Sequence, residues 1–330
     1  MPSKLARSLP LTIRRQPTGI ETPLLVPSFS SKDLLDIAPV FEALIPSITE
    51  SFLISDYDVA HGLIKPPLSP VAEILFLDSG GYEVSKDYDI MDPLYPVPES
   101  KEWNVEKYLE VLTSFEPTMP TIVTSFDHPN VYRDIPVQIE SALNVFGKFP
   151  QFGREPLIKP ETKDQSLLPI NGITARVGDF KEFDVIGMTE AELGYTLFDR
   201  MNNIARIRIA MDGENVATPL HIFGSLDPVC TPLYFISGAD IFDGLTWLRF
   251  SYMDDVAVYH RNRVPLQFGA KERDYEALAR SYTENLYYLA DLTGRMNRYL
   301  LDGDEDRFGR HSKFYKQCID DLRFRRKGAI

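Results

Sequence analysis

Four consecutive apolar residues, Ile74-Leu75-Phe76-Leu77, stop at Asp78 and are followed by Ser79-Gly80-Gly81-Tyr82-Glu83. A run this short is too brief for a helix and reads as a strand buried on both faces, the kind found in parallel sheets. Such strands need helices on both sides, which points to an α/β architecture. Two glycines allow a tight turn and a close approach of the backbone to a flat ligand. An aspartate at the carboxyl end of a buried strand stands where α/β proteins place catalytic groups. The same residues also fit an Asp-Ser-Gly-Gly turn with a capping carboxylate, so the rest of the chain has to decide.

Comparable runs recur along the chain. After a turn at residues 18–23, residues 24–27, 51–56, 74–77, 120–125, 156–159, 183–188, 220–224 and 239–243 read as strands. Helical spacing covers residues 31–43, with Ser31 as a candidate cap, and recurs near 105–115, 137–149, 192–204 and 228–237. A proline-rich connection spans residues 91–100. From Tyr275 a long helix carries Leu278, Tyr282, Leu286, Leu289, Met296 and Leu300 and stops at Asp302-Gly303. Strands alternating with helices roughly eight times predict a (β/α)8 TIM barrel. It is expected to be a single domain over residues 1–330, with 275–330 as a C-terminal helical extension. A doubly wound sheet is the alternative, without a glycine-rich dinucleotide or P-loop signature to support it.

The net charge of −13 argues against a protein coated in nucleic acid, yet leaves room for a local basic face. His260-Arg261-Asn262-Arg263 and Arg323-Phe324-Arg325-Arg326-Lys327 are dense enough to form one, or are solvated helix ends and tails. No apolar run approaches the ~20 residues of a membrane span, so no membrane partner is expected. Lys4, Arg7, Arg14 and Arg15 make a basic N-terminus with no signal-peptide apolar core behind it, read as an arm or a transit peptide. Cys230 and Cys318 are the two cysteines, too few for a disulfide framework or a four-cysteine zinc site. The five histidines show no metal-ligand spacing. No metal and no cofactor are expected, and a reducing, cytoplasmic setting is the default.

Three predicted strands end in a carboxylate: Asp78, Asp127 and Asp243. In a barrel all strand carboxyl ends meet on one face, so residues distant in sequence can surround one substrate. Clustered carboxylates repel and are kept where chemistry or a cation uses them. One can attack an anomeric carbon while another, with a raised pKa, protonates the leaving group. Divalent metal coordination is the competing use.

These pieces resemble the tRNA-guanine transglycosylase family, enzymes that exchange guanine for a 7-deazaguanine, as in queuosine formation, without breaking the phosphodiester chain. The resemblance lies in Gly19-Ile20-Glu21-Thr22-Pro23 with Pro27, Asp78-Ser79-Gly80-Gly81-Tyr82, Phe126-Asp127 and Leu220-His221-Ile222-Phe223-Gly224. It continues through Gly238-Ala239-Asp240-Ile241-Phe242-Asp243 and Asn285-Leu286-Tyr287-Tyr288-Leu289, in the family's order over residues 18–300. The resemblance implies a (β/α)8 barrel and a pentosyltransferase. Asp243 would be the nucleophile at C1′ and Asp78 the general acid, within the Ser79-Gly80-Gly81 turn that lies against the base. Tyr82 would stack on the base, or alternatively be a core aromatic of the barrel mouth. Asp127 would accept hydrogen bonds from the base N–H groups, and backbone near Gly187 and Met188 would meet its carbonyl. Arg249 would hold a phosphate, with Arg261 and Arg263 on the basic face.

The partners implied are a nucleic acid, tRNA first and DNA as the alternative, a free guanine or 7-deazaguanine base, and a possible homodimer. Three departures stand beside the resemblance. The family's Cys-x-Cys-x-x-Cys and later His are missing, with Glu284 where the His would be. Glu83 follows Tyr82 in place of a glutamine, and the base-reading glutamine after the fifth strand is not recognisable near Lys159-Pro160-Glu161. The loss of the zinc module motivates one further reading, a non-catalytic partner subunit or nucleic-acid binding module.

Overall fold

The computed structural model describes residues 5–32, 36–66, 72–85, 100–127, 131–267, 269–271 and 273–327. Among them, strands form two parallel sheets and two antiparallel hairpins. The first hairpin joins β1 (Pro10–Ile13) to β2 (Gln16–Glu21). Then come β3 (Leu24–Pro27), β4 (Ser51–Ser55), β5 (Ile74–Asp78), β6 (Thr121–Thr124), β7 (Gly153–Glu155) and β8 (Leu157–Ile158). They are followed by β9 (Ile186–Thr189), β10 (Leu220–Phe223) and β11 (Ile241–Gly244), and by a second hairpin of β12 (Ser251–Met253) and β13 (Val256–Val258). One parallel sheet runs β3-β11-β10-β9-β8 and the other β4-β5-β6-β7.

The sheets touch at both pairs of edges. Pro156 alone separates β7, which pairs with β6, from β8, which pairs with β9. Proline has no N–H to offer a ladder, but its carbonyl accepts from Gly187 N at 2.9 Å, so the chain changes neighbours at this residue. At the other edges Ser28 makes a parallel bridge to Leu53, and Phe29 N donates to the Leu53 carbonyl at 2.9 Å. The protein is therefore a mixed α/β fold with parallel sheets and a helical extension at its C-terminal end.

Strand residues are buried alternately on two sides, as a period of two requires. Ile74 and Phe76 of β5 join Leu24, Val26, Leu53, Ile122 and Ile241 in an interior shared by both sheets, into which the first hairpin inserts Leu11 and Ile20. Leu75 and Leu77 point the other way, into the larger cluster with helix residues such as Leu112, Ile139, Phe146 and Ile204. The four apolar residues at 74–77 are thus needed in both directions, which is why the run is unbroken.

Several elements depart from the sequence expectations. Of the turn expected at residues 18–23, residues 18–21 belong to the strand Gln16–Glu21, because Arg14 and Arg15 adopt positive φ (53° and 65°) and close a two-residue hairpin. Arg14 is held there by its own side chain, which donates to the carbonyls of Phe146, Phe149 and Phe152. The first long helix is Ile37–Leu44 behind Asp36, so Ser31 is not its cap; residues 33–35 lie outside the described residues. The helix expected at 192–204 begins as a short 3-10 turn, Glu190–Leu193, and the true helix is Leu197–Gly213, capped by Thr196. The proline-rich connection lies outside the described residues from 91 to 99. The long helix runs Asp274–Asp302 and stops at Gly303, whose φ of 70° suits glycine. Among the described residues no helix is long and apolar enough to cross a membrane.

Candidate active site

Asp78 closes β5, and the turn behind it is shaped by contacts that leave little room. Gly80 has φ 83°, and a Cβ there would come within 2.8 Å of Tyr57 and 2.9 Å of the Trp103 ring nitrogen. Trp103 Nε1 donates to the Ser79 carbonyl at 2.9 Å, and Gly80 N donates to Asp78 Oδ2 at 3.2 Å. The Ser79 hydroxyl donates to Asp127, three residues past the end of β6. Gly81 is needed for that meeting, since a Cβ on it would stand 2.3 Å from Asp127 Oδ1.

Asp243 lies in β11. Its Oδ2 accepts from Ser28 Oγ at 2.7 Å and its Oδ1 from Gly224 N at 3.0 Å. His221, on neighbouring β10, brings Nε2 to 3.3 Å from the same Oδ1, close enough for charge attraction though not aligned as a hydrogen bond. The other ring nitrogen of His221 lies 2.7 Å from Glu155 Oε1, and Thr124 Oγ1 donates to Glu155 Oε2 at 3.2 Å. Glu155, His221 and Asp243 therefore form a buried row across β7, β10 and β11.

The electrostatics separate the carboxyl groups into two kinds. Burial pushes Asp78 well above the usual carboxylate range, and repulsion from Asp127, Glu83 and Asp243 adds to it against the Gly80 N–H. These surroundings favour the protonated form of Asp78. Asp243 instead accepts hydrogen bonds from Ser28 Oγ and Gly224 N. Burial would pull the His221 imidazole down, but Glu155 and Asp243 together lift it to about 9. Behind Asp78, Asp56 has both side-chain oxygens buried without a hydrogen-bond partner, and burial followed by repulsion from Asp78 pushes it up as well.

No protein-family model matches the chain, and no curated protein sequence matches it significantly. The site is therefore read from its own geometry.

The structure brings Asp78, Asp127 and Asp243 into electrostatic contact, with Tyr82 beside them on the short helix Gly81–Val84. Arg249 Nη2 donates to the Tyr82 hydroxyl at 2.6 Å, and Lys32 Nζ lies 4.1 Å from the Tyr82 ring centroid. One face of that ring is thus occupied by a cation. Gly187 and Met188 sit mid-strand, register-paired with β8 and β10, and the Met188 side chain packs into the helix-side core. A Cβ at Gly187 would crowd Phe223 at 2.7 Å.

The two basic-face arginines part company. Arg261 is exposed, whereas Arg263 is buried and ion-paired to Glu284 of the long helix, with Gln267 accepting from its Nε. Glu284, which stands where the family's zinc histidine would be, is thus tied into an ion pair. Among the described residues no group of three or more His, Cys, Asp or Glu is placed to hold a metal. Of the C-terminal basic run, Arg323 donates to Asp320 at 3.3 Å, and the side chains of 324–327 lie outside those described.

Sequence reasoning missed several residues at this site. His221 and Glu83 were visible within motifs but carried no assigned role, while Glu155 gave no signal at all. Lys159, ion-paired to Glu192 at 2.7 Å, also feels Asp127 and Asp78, which places its ammonium at the same mouth. Glu83 accepts from Ser30 Oγ at 2.6 Å and is raised to about 7 by burial and then by Asp58, itself raised to about 6.

Proposed function

We propose that the chain is a base-exchange transglycosylase, replacing guanine in nucleic acid by a 7-deazaguanine through a covalent aspartyl-glycosyl intermediate. The observation that carries this reading is the contrast between two buried carboxyl groups that sense one another. Burial and neighbouring carboxylates favour the protonated form of Asp78, while Asp243 accepts from Ser28 and Gly224. Two carboxyl groups whose surroundings drive them apart can divide acid and nucleophile between them. The ordered motifs from Gly19 to Leu289 support the same reading. A (β/α)8 closure is part of the same proposal, and the handover at Pro156 and the Ser28–Leu53 bridge, which join the edges of the two parallel sheets, support it.

In the first step an Asp243 oxygen attacks C1′, the bond from C1′ to the base nitrogen breaks, and its electron pair leaves with guanine. Asp78 gives its proton to that departing base. In the second step the ring nitrogen of the incoming 7-deazaguanine attacks C1′ and the C1′–oxygen bond breaks. The electron pair returns to Asp243, and the proton on the attacking nitrogen passes to the Asp78 carboxylate. Asp127 accepts from the N–H edge of the base. Tyr82, with Lys32 over its ring, would stack on the base. Arg249 is tied to the Tyr82 hydroxyl, so its cation and the stacking platform are one unit.

Neither acid role touches the 2′ position, and the base must leave its stack in any polymer. The resemblance places tRNA first. Incubation with labelled guanine and either total tRNA or genomic DNA tests this. Label is expected in tRNA with the wild type, none with Asp243→Ala, and at least ~10²-fold slower entry with Asp78→Asn. Label in DNA alone would reverse the order of polymers, and label in neither would sink the reading.

A further inference from the structure

His221 is fully buried between Glu155 and Asp243, and its two ring nitrogens each face a carboxylate oxygen, at 2.7 Å and 3.3 Å. A neutral imidazole carries one N–H, so one of these approaches would set a nitrogen lone pair against a carboxylate. The imidazolium alone suits both sides. Phe76 edge-on and Phe223 stacked at 4.1 Å complete its surroundings, which exclude water from the ring. The titratable groups facing the ring are therefore Glu155 from β7 and Asp243 from β11. We propose that His221 and Glu155 are positioning residues. His221, held as a cation by Glu155, fixes Asp243 through Oδ1 and balances the negative charge that returns to Asp243 when the glycosyl ester breaks.

The geometry assigns the two Asp243 oxygens different tasks. Oδ1 meets Gly224 N–H and the His221 cation, while Oδ2 meets the Ser28 hydroxyl. Oδ2 is the oxygen left to attack C1′. When the ester later breaks, its electron pair returns to a carboxylate beside a fixed positive charge, which makes Asp243 a better leaving group. Without Glu155, the buried cation would lose its partner and give up its proton. The role in exchange rests on the transglycosylase reading, but the charge state of His221 does not.

The test uses the full chain labelled with 15N-histidine. With five histidines in the chain, the His221 signal is assignable by its loss in His221→Gln. At neutral pH both ring nitrogens should be protonated, with titration near pH 9. Asp243→Asn and Glu155→Gln should each lower that midpoint by about one pH unit or more. In the exchange assay, His221→Gln should lose about 10–100-fold in kcat while KM stays within about twofold, because Asp243 acts only on bound substrate. Glu155→Gln should bring the alkaline limb of the rate profile down with the His221 midpoint. A neutral ring at neutral pH in the wild type, or a midpoint that Asp243→Asn leaves in place, would overturn the proposal. Should the wild type exchange no base into either polymer, the transglycosylase reading fails by itself. The titration then still decides whether His221 is a cation coupled to Asp243.

Discussion

Replacing Gly81 by alanine should separate binding from stability at this site. The added methyl carbon would lie 2.3 Å from Asp127 Oδ1, 2.7 Å from Cγ and 2.8 Å from Oδ2. Carbon and oxygen do not tolerate such distances, so the carboxylate must withdraw by about 1 Å. That shift breaks the hydrogen bond from Ser79 and, in the proposed base site, carries the acceptor away from the N–H edge of the base. A hydrogen bond to a charged group is worth about 1.5–3 kcal/mol, which sets the expected loss of guanine affinity at about 10–150-fold. The backbone has no objection to alanine, because residue 81 opens a short helix. Alanine there gains up to ~1 kcal/mol of helix propensity, which offsets part of what the lost Ser79 bond removes. Guanine titration calorimetry should therefore show the affinity loss while Tm falls by no more than about 4 °C. Adding Gly81→Ala to Asp127→Ala should cost little more, since both act on one carboxylate. Guanine affinity within about twofold of wild type in Gly81→Ala would refute the placement of Asp127 in the base site.

Two predictions concern stability. Arg208 and Asp240 are an ion pair with no exposure, in which Arg208 Nε also donates to the Gly238 carbonyl at 2.8 Å and Leu220 N to Asp240 Oδ2 at 2.7 Å. Arg208→Ala leaves a carboxylate buried at the start of β11 and should cost about 3–5 kcal/mol in urea unfolding; a loss under ~1 kcal/mol would contradict the pairing. Glu83 and Asp58 are raised to about 7 and about 6, and His221 to about 9, all above their unfolded values. Groups raised in the folded state stabilise it below their unfolded pKa and lose that contribution as pH climbs through the folded one. Tm should therefore fall from mildly acid pH, about 5, toward pH 9, and Glu83→Gln should flatten the part of the slope below pH 8. A Tm that rises over this range would contradict the buried acid cluster.

Much of the parallel core was legible because each strand is buried on both sides. Ile74–Asp78, Leu24–Pro27 and Leu220–Phe223 are unbroken apolar or near-apolar runs for that reason, and their ends locate Asp78 and the vicinity of Asp243. The stop of the long helix at Gly303 was equally readable, since few other residues accept its backbone angle. Local chemistry misled where long-range contacts override it. Arg14 and Arg15 carry no turn signal, yet the Arg14 side chain, tied to three carbonyls far along the chain, holds the hairpin in place.

By itself, then, the sequence determined which segments are double-sided strands and which carboxylates follow them, because burial on both faces and sharp turns write themselves into neighbouring residues. Tertiary structure decided what surrounds those carboxylates. Glu155, His221 and Asp243 are separated by 66 and then 22 positions, and nothing local marks their meeting; the order of β7, β10 and β11 around a shared interior creates it. The same holds for Arg261 and Arg263, two positions apart on one helix. Packing against Glu284 buries one and leaves the other in solvent. Acidity follows the same rule: Asp78 is pushed above the usual carboxylate range because other chain segments exclude water and bring further carboxylates to it, a property of the assembled site and not of the motif in which it lies.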